Sequence, residues 1–396
     1  MSREQLIEMA RREVENFQAN KIDLAPDVYK VPTSLYYDPD RWQQEVDRVF
    51  KRLPLALGFS CELQGPGAYR ALEVLGMPVL LTRADDGVAR AFVNMCSHRG
   101  AIIADEGCAV TRGFRCPYHG WSYDLQGKLV SVFDAGNFGP IDKASYGLTE
   151  LQAAERAGLI WVTLTPGLKV DIDVFLSGYD DVLGDLGFAN CHVAGRQELD
   201  GPNWKVAYDG YRDLYHIPVL HKNSFGADSA YQPDFYAFGS HVRMVSPKGY
   251  ARLSDLPEDQ WDTNSLVGGV WTIFPNISIA AFDAGGTVYM VSQMFPGASP
   301  GESHTIQNFL HTVPPEEGQA EKLGGMMEFL KRVVAGEDYY TGLRVQKALK
   351  TGAKDHNLFG RNEGGGQLFH RWVQALVDTE DAELPELLVA GIDGRA

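Results

Sequence analysis

The chain lacks the features that define several large classes of protein. Its 36 Lys and Arg are outnumbered by 52 Asp and Glu, for a formal net charge of −16. Phosphate contacts need a basic surface, so this balance argues against a nucleic-acid partner. No apolar run approaches the roughly 18 residues of a membrane span, and the first residues lack the apolar core of a signal peptide. We therefore expect a cytoplasmic protein with no membrane association.

Cysteine is scarce as well. The 396 residues contain five, at Cys61, Cys96, Cys108, Cys116 and Cys191. An odd number in a long chain argues against a disulfide framework, and in a reducing compartment cysteines grouped with histidines more often indicate a metal. Only Cys96 and Cys116 are grouped in this way. We expect the other three to be small buried apolar residues.

The composition is that of a globular protein, and the pattern changes along the chain. Hydrophobic residues make up 44% and charged residues 22%, which is ordinary for a folded chain of two or three domains. Residues 1–50 are mainly helical, with a helix expected at about 39–51 behind Asp38 or Asp40. Residues 51–165 form short β runs between turns, which predicts an all-β domain. Residues 166–396 combine helices with alternating strands, which predicts an antiparallel sheet and an α+β fold class.

Two short motifs in the β-rich region carry one Cys and one His each. They are Cys96-Ser-His98 and Cys116-Pro-Tyr-His119, and each follows a strand-like run, which places it on a loop. Two thiolates and two imidazoles suit a tetrahedral zinc ion or a [2Fe–2S] cluster with one iron held by histidines. In zinc sites with two cysteines and two histidines, the cysteines usually lie close together in one segment and the histidines in another. Here each loop carries one cysteine and one histidine. The spacing therefore favours the cluster over zinc.

A second group of metal-ligand residues lies in the stretch Asp213 to His221. His216 and His221 are five apart, so on a regular helix they would diverge by about 140°. Pro218 distorts the helix predicted over residues 201–225 and allows both rings to converge. Two histidines and one carboxylate form the facial triad of non-haem Fe(II), which leaves coordination positions open for dioxygen.

The two motifs together resemble the Rieske non-haem iron oxygenases, and in particular the large (alpha) subunits of aromatic ring-hydroxylating dioxygenases. CSHRGA and CPYHGWSYDLQG resemble the family's cluster-binding signature, and NWK followed by D-x-x-H-x4-H resembles its catalytic motif. The likeness runs from about residue 35 to 375. One departure is Gly210, where many members carry Asn.

The resemblance implies a role for each motif residue. Cys96, His98, Cys116 and His119 would bind the [2Fe–2S] cluster, while His216 and His221 would bind the mononuclear Fe(II). Asp213 would bridge this iron to a Rieske histidine of the neighbouring subunit. The third iron ligand would be Asp338, with Glu337 as the alternative and Asp355 as a weaker candidate.

The resemblance also implies architecture and activity. We expect a Rieske domain at 51–165 and a helix-grip catalytic domain at 166–396, with the helical segment 1–50 packed on the latter. The chain would be a terminal oxygenase that uses O2 and electrons from NAD(P)H, delivered by a reductase and often a ferredoxin. We expect a homotrimer, with or without a small beta subunit.

The substrate follows least directly from the sequence. Apolar residues near the triad predict a pocket for an aromatic or other hydrophobic molecule: Tyr208, Phe225, Tyr231, Phe235, Phe238, Val270, Trp271, Phe274, Ile277, Phe282 and Met290. Arg243 and Arg252 are candidates to clamp a substrate carboxylate, although both are expected at the surface. We favour hydroxylation or dihydroxylation of a ring, as in aromatic hydrocarbon catabolism. The alternatives are an O- or N-demethylating monooxygenase, a pure electron-transfer Rieske protein and a zinc-bearing scaffold.

Overall fold

The computed structural model describes residues 2–229, 231–314 and 319–392. The α-helices are α1 (Ser2–Ala19), α2 (Pro39–Glu45), α3 (Ala135–Phe138), α4 (Ile172–Leu176), α5 (Tyr179–Leu183), α6 (Trp204–Tyr211), α7 (Ile217–Leu220), α8 (Thr263–Leu266), α9 (Gln319–Val333), α10 (Tyr340–Leu349), α11 (Gly364–Asp378) and α12 (Leu384–Ala390). Three segments are π-helical: Val46–Phe50, Lys222–Gly226 and Val334–Tyr339. Short 3-10 helices span Thr33–Tyr36, Ser60–Glu62, Lys143–Tyr146, Gly184–Leu186, Phe188–Asn190, Pro247–Asp255 and Glu258–Gln260. No helix among these described residues is long and apolar enough to cross a membrane.

The strands are β1 (Tyr29–Pro32), β2 (Pro54–Phe59), β3 (Ala68–Val74), β4 (Met77–Arg83), β5 (Ala89–Val93), β6 (Gly107–Val110), β7 (Phe114–Arg115), β8 (Ser122–Tyr123), β9 (Leu129–Ser131), β10 (Glu150–Arg156), β11 (Leu159–Thr163), β12 (His192–Gly201), β13 (Asp234–Phe238), β14 (His241–Val245), β15 (Val270–Ile273), β16 (Ile277–Asp283), β17 (Thr287–Pro296), β18 (Ser303–His311) and β19 (His356–Phe359). They fall into two compact units. The smaller unit is residues 50–172 with 188–190, and the larger is residues 1–49, 173–187 and 191–396.

The smaller unit is built on two antiparallel sheets. A seven-stranded sheet has the order β2-β11-β10-β5-β4-β3-β6, and a three-stranded sheet has the order β7-β8-β9. Leu80, Phe92, Trp121 and Tyr123 belong to one buried core cluster that also contains Cys96 and Cys116. The two cysteine loops therefore leave from the edge of a packed core.

The larger unit contains a two-stranded antiparallel sheet of β1 and β19 and a seven-stranded antiparallel sheet covered by helices. The order of the seven-stranded sheet is β12-β18-β17-β16-β15-β14-β13, and every residue of β17 is buried. Helix α11 buries Phe369, Trp372, Val373 and Leu376, a spacing that places an apolar stripe along one helix face. The Phe369 ring meets Trp204 of α6 edge-on at 5.6 Å. The predicted α+β fold class with an antiparallel sheet is confirmed.

Helix α6 is fixed at its start by the Asn203-Trp204-Lys205 motif. Asn203 Oδ1 accepts a hydrogen bond from the Lys205 amide at 2.9 Å and so caps the helix. Trp204 Nε1 donates to Glu45 Oε2 at 3.0 Å, and the Lys205 ammonium pairs with the same carboxylate. Glu45 is fully buried and also accepts from Arg41 at 2.8 Å. The N-terminal segment thus anchors the helix from which the triad loop departs.

The helix expected near 39–51 is confirmed, but the single helix expected over residues 201–225 is wrong. Asp38 caps α2, which continues as the π-helical segment to Phe50. In the second region the chain leaves α6 after Tyr211, and Asp213 Oδ1 then accepts from the Tyr215 amide at 2.5 Å. This side-chain turn competes with helical hydrogen bonds, and Pro218 lies in the first turn of α7, where proline is tolerated.

The expectation for the three remaining cysteines holds only for Cys191. That residue is buried, whereas Cys61 is partly exposed and Cys108 is exposed. Cys108 lies on β6, an edge strand of the larger sheet in its unit, and every residue of that strand is exposed. Because successive residues of a strand point to opposite faces, both faces of β6 are in water, which composition alone does not reveal.

Candidate active site

The two cysteine loops have the same backbone geometry. The Cys96 amide donates to Ala101 O at 2.8 Å and the Gly100 amide to Cys96 O at 2.9 Å. The same two bonds form at Cys116. Its amide donates to Trp121 O at 2.8 Å, and the Gly120 amide donates to Cys116 O at 3.0 Å. Both closing glycines have positive φ, 76° and 68°, a conformation that side chains other than glycine rarely adopt.

The four predicted cluster residues lie together at the tips of these loops. Cys96 and Cys116 are each 2% exposed, and the rings of His98 and His119 are 4.6 Å apart. Trp121 stacks on His98 at 4.9 Å with an interplanar angle of 8°. The structure therefore presents two sheltered sulfur atoms and two adjacent imidazoles.

This donor set fits a histidine-ligated [2Fe–2S] cluster. His98 Nδ1 is buried without a hydrogen-bond partner in the described part of the chain, a state that normally costs stability unless a ligand occupies the atom. Burial, the neighbouring His119 and the charge of Arg99 lower the pKa of His98. The neutral imidazole is the form that binds metal. The Tyr123 hydroxyl lies 3.2 Å from Cys96 Sγ, where it can donate to a thiolate.

The second group converges as closely. His216 Nε2 is 3.1 Å from His221 Nε2, which is 3.1 Å from Asp338 Oδ1. The third side of this triangle, His216 Nε2 to Asp338 Oδ1, is 3.5 Å. Three atoms at these separations can all lie about 2 Å from one ion, the usual length of imidazole and carboxylate bonds to a metal. The group fits a single cation with further coordination positions open.

The outer nitrogens of both rings are held by carboxylates. His216 Nδ1 lies 3.3 Å from Asp213 Oδ2, and His221 Nδ1 lies 2.7 Å from Glu337 Oε2. The Ser224 hydroxyl donates to the same Glu337 oxygen at 2.9 Å. Such partners fix the tautomer and orientation of a metal-binding imidazole. Asp338 faces the inner nitrogens and Glu337 an outer one, while Asp355 instead pairs with His356 at 2.5 Å.

The charges of the group are strongly coupled. Burial lowers the pKa of His216, but its bonds to Asp213 and Asp338 outweigh that effect and raise the pKa to about 9. Burial also lowers the pKa of His221, but its bonds to Asp338 and Glu337 outweigh burial and raise this pKa. The same contacts lower the pKa of Asp338 despite its burial. A cation must displace these protons, so its affinity falls as the pH falls.

Asp338 lies in an irregular stretch of helix. It is inside the π-helical segment Val334–Tyr339, which joins α9 to α10 without a break. A π-helical turn adds a residue to the helix and is common at functional sites. Within this segment the adjacent residues Glu337 and Asp338 contact the two different ring nitrogens of His221.

An apolar cavity of about 330 Å³ opens beside the triad. Its lining consists of Ala207, Gly210, Tyr211, Asp213, Leu214, His216, Ile217, His221, Phe225, Ser229, Val270, Ser278, Ala280, Phe282, Met290, Leu330, Val333, Val334 and Asp338. The volume is near the lower end of the about 300–1,000 Å³ usual for small-molecule sites. Of the eleven predicted lining residues, Phe225, Val270, Phe282 and Met290 line this cavity.

The other predicted lining residues have different places. Tyr208, Trp271, Phe274 and Ile277 are core residues with 2% exposure or less, and Tyr231, Phe235 and Phe238 do not line this cavity. Arg243 is fully buried, contrary to expectation, and donates to Leu266 O at 2.5 Å and Gly268 O at 2.8 Å. Arg252 donates to Ser265 Oγ at 2.6 Å. Neither arginine lines the cavity.

A second cavity, of about 430 Å³, shares part of this lining. Asp213, His216, Asp338 and Gly210 border both cavities. A Cβ atom at Gly210 would meet nothing within 4 Å. Gly210, at the position where many family members carry Asn, thus leaves open space beside the triad.

Several functional contacts were not predicted from the sequence. These are the contact of Glu337 with His221, the bond from the Ser224 hydroxyl to Glu337, and the cavity residues Tyr211, Ser278, Leu330, Val333 and Val334. The only sequence signal among them is the adjacency of Glu337 to Asp338. The rest depend on strand register and on the π-helical insertion.

Comparison with known proteins agrees with both sites. The family model described as Rieske [2Fe-2S] domain matches residues 54–139, and the one described as Ring hydroxylating alpha subunit (catalytic domain) matches residues 188–379. The carnitine monooxygenase oxygenase subunit of Escherichia coli (strain K12) is 27% identical over 349 residues, 85% of this chain and 87% of that protein. The chlorobenzene dioxygenase subunit alpha of Cupriavidus sp. (strain PS12) is 35% identical over 189 residues, 46% of this chain and 42% of that protein.

Solved structures share the fold. The quaternary ammonium Rieske monooxygenase CntA in complex with L-carnitine superposes with a TM-score of 0.73 at 20% identity, covering 91% of this chain and 98% of that one. Naphthalene 1,2-dioxygenase from Rhodococcus sp. bound to indole gives 0.71 at 19% identity, covering 95% and 99%.

The chain belongs to the Rieske non-haem iron oxygenases. It is an oxidoreductase of the kind that incorporates oxygen, and the family's cofactors are a [2Fe–2S] cluster and a mononuclear iron. The predicted class, a terminal oxygenase component supplied with electrons through a reductase, is confirmed. The relatives include both monooxygenases and dioxygenases.

Proposed function

We propose that the chain hydroxylates a small, largely apolar and aromatic substrate at the triad His216, His221 and Asp338. The observation that carries this proposal is that the triad opens directly on the 330 Å³ cavity, whose other walls are almost entirely apolar. A site of this size with few polar groups favours one or two apolar rings.

The charges of the cavity support this choice of substrate. Its charged lining residues are the triad and Asp213, and no Lys or Arg is among the lining residues that the structure describes. L-carnitine, the ligand of the similar CntA structure, is a zwitterion with a carboxylate. Burying a carboxylate without a partner is costly, so the cavity favours a neutral molecule.

Each residue of the site has a defined task in this proposal. Cys96, His98, Cys116 and His119 bind the cluster, and the triad binds the iron. When bound, these groups supply single electrons and dioxygen activation. Glu337 and Asp213 hold the two imidazoles in the orientation that binding needs. Phe225, Phe282 and Met290 position the ring and exclude water.

We further propose that the active assembly is a homotrimer, with or without a small beta subunit. Asp213 would bridge the triad to a cluster-binding histidine of the neighbouring subunit, and a reductase, with or without a ferredoxin, would supply the electrons. Support comes from the position of Asp213, whose carboxylate contacts a triad histidine and borders both cavities. Head-to-tail contacts that close into a ring suit such an arrangement. Light scattering with size-exclusion chromatography tests the trimer, and a monomer active at all concentrations contradicts it.

The second candidate is a demethylating monooxygenase. The relatives that match most of the chain are carnitine monooxygenase subunits, and a methoxy- or N-methylarene would also suit an apolar cavity. Both chemistries use the same metal residues, so product analysis separates them.

The experiment is a turnover assay with ¹⁸O2, NADH and a surrogate reductase. Naphthalene, indole, anisole, L-carnitine and glycine betaine are supplied separately and the products identified by mass spectrometry. Label in a hydroxylated ring supports the main proposal, and formaldehyde from anisole supports the second. Turnover of L-carnitine or glycine betaine alone contradicts the main proposal, and formaldehyde released from either of them supports the second. His216→Ala is the control, because it should abolish turnover and leave the visible spectrum of the cluster unchanged.

A further inference from the structure

A row of polar side chains crosses the sheet of the larger unit. Strand register pairs Thr272 of β15 with Ser278 of β16, Ser278 with Ser292 of β17, Ser292 with Gln307 of β18, and Gln307 with Gln197 of β12. Directly paired residues point to the same face of a sheet. These five residues therefore form one line across five neighbouring strands, which we call the polar row.

The next line on the same face is apolar. This line consists of the residues two positions away from the polar row on each strand. Val270 pairs with Ala280, Ala280 with Met290, and Met290 with Phe309. Val270, Ala280 and Met290 line the apolar cavity, and Ser278 joins them there from the polar row. The cavity thus lies on the boundary between the two lines.

Most members of the polar row have partners inside the protein. Thr272 Oγ1 donates to Val242 O at 2.8 Å. Gln197 Nε2 donates to Gln307 Oε1 at 2.7 Å, and Gln307 Nε2 donates to the Tyr211 hydroxyl at 3.3 Å. These bonds satisfy the two ends of the row.

The two serines in the middle differ from the rest. Ser292 is fully buried, and its hydroxyl has no hydrogen-bond partner in the described ranges, although it lies beside the Tyr211 hydroxyl. Ser278 is 3% exposed and lines the cavity, and its hydroxyl bonds to no residue that the structure describes. A fully buried hydroxyl without a partner, as at Ser292, is destabilising unless water occupies it, whereas Ser278 lies at the cavity, where a ligand can reach it.

The second serine of the cavity provides the contrast. Ser229 also lines the cavity, but its hydroxyl donates to Phe225 O at 2.9 Å and to Gly226 O at 2.8 Å. Its single hydroxyl proton is therefore held by these two carbonyl oxygens and is not free to donate to a ligand. Among the cavity's hydroxyl groups on serine, only that of Ser278 has its donor free, within the described residues.

We propose that Ser278 is a specificity subsite that hydrogen-bonds one polar atom of an otherwise apolar aromatic substrate. The class it selects is an arene with a ring nitrogen, a carbonyl or a hydroxyl group. This inference rests on the proposed function and deepens it, because it names the substituent that the ring carries. Ser292 pairs with Ser278 on the neighbouring strand, and Tyr211, whose hydroxyl lies beside Ser292, also lines the cavity.

The test compares two ligands of nearly equal shape, quinoline and naphthalene. Equilibrium dissociation constants are measured by anaerobic calorimetry on the holoenzyme, so that no turnover is required. One neutral hydrogen bond favours quinoline over naphthalene by about 3- to 10-fold. Ser278→Ala should remove this preference and leave the binding of naphthalene within about twofold.

Two further variants make the result specific. Ser278→Thr keeps the hydroxyl and should keep the preference for quinoline, and Ser229→Ala should leave the ratio of the two constants unchanged. A ratio that Ser278→Ala does not alter overturns this inference alone. Failure of both ligands to bind overturns the proposed function and this inference with it.

Discussion

The Nδ1 atom of His221 lies 2.7 Å from Oε2 of Glu337, while Nε2 of the same ring faces Asp338. The two adjacent carboxylates thus contact opposite nitrogens of one imidazole. Only one of them is placed to share a cation with His216. The other holds the ring, with the Ser224 hydroxyl donating to it at 2.9 Å.

This division of labour predicts different effects of two conservative changes. Glu337→Gln weakens the acceptor for His221 Nδ1 and should lower iron affinity by about 10- to 100-fold, the usual cost of losing such a partner. Asp338→Asn removes an anionic ligand and should abolish iron binding at micromolar iron. Competition with a chelator measures both. Glu328→Gln, on the exposed side of α9, is the matched control, and equal effects of the two central variants would refute the division.

Asp213 is expected to affect electron transfer more than iron binding. Asp213→Asn keeps the size of the side chain but removes the charge beside His216 Nδ1. Iron content should stay near one mononuclear site per chain, whereas the rate of cluster oxidation on mixing with O2 and substrate should fall about 100-fold. Stopped-flow absorbance measures this rate. Asp259→Asn, which is exposed, serves as control, and unchanged oxidation in Asp213→Asn would exclude the bridging role.

The cluster assignment separates two cysteines of opposite environment. Cys116→Ser should abolish the visible absorption and the EPR signal of the cluster, because the loss of a thiolate ligand prevents assembly. Cys108→Ser should retain both, because that residue is exposed on an edge strand. Iron analysis should give about three iron atoms per chain in wild type and Cys108→Ser. A colourless wild-type protein with zinc would contradict the assignment.

Glu13 of α1 should make stability depend on pH. The side chain is fully buried; one oxygen accepts from the Tyr236 hydroxyl at 2.6 Å and the other has no partner among described residues. Burial raises its pKa from 4.5 to about 8. The folded state therefore binds this proton more tightly than the unfolded chain, so the free energy of unfolding falls as pH rises from about 4.5 to 8.

Glu13→Gln removes this titration. The stability of the variant relative to wild type should therefore increase between pH 5 and pH 8 by at least about 1 kcal/mol, since one unit of pKa is about 1.4 kcal/mol. Urea unfolding at several pH values measures the difference. Glu15→Gln on the same helix is exposed and should show no such trend. A flat difference for Glu13→Gln would show that the buried carboxyl titrates normally.

The sequence predicted those features that depend on local spacing. The pairs Cys96/His98 and Cys116/His119 each lie within one loop, and a closing glycine fixes each loop locally. His216 and His221 were likewise identified from a short motif of two histidines and a carboxylate, although Pro218 lies in the first turn of α7 and does not distort a longer helix. Motifs of this kind need no knowledge of the distant chain, and the fold class followed from alternation along the strands.

What the sequence left open depends on long-range geometry. The roles of Glu337 and Asp338 differ by one residue within a π-helical turn, and helix periodicity of 3.6 does not predict such an insertion. The position of Ser278 in the polar row becomes visible only through the pairing of five strands. Charged side chains usually lie at the surface, which is the basis of the expectation for Arg243. Its guanidinium instead lies in the core, where it donates to three oxygen atoms and its central carbon is 4.3 Å from the centre of the Trp271 ring.

The π-helical insertion also makes the enzyme sensitive to length in a way that substitutions do not probe. Each residue turns a helix by about 100°, so removal of one codon within Val334–Tyr339 would leave a regular helix with one end rotated against the other. Leu330 and Val333 of α9, which line the cavity, could then not stay in place while Gln346 of α10 keeps its bonds to the Asn203 amide at 3.3 Å and to Tyr36 O at 3.2 Å. Single-codon deletions should therefore be tolerated far less in these six positions than conservative replacements. The segment between α9 and the core residue Gln346 should therefore accept changes of sequence but not of length.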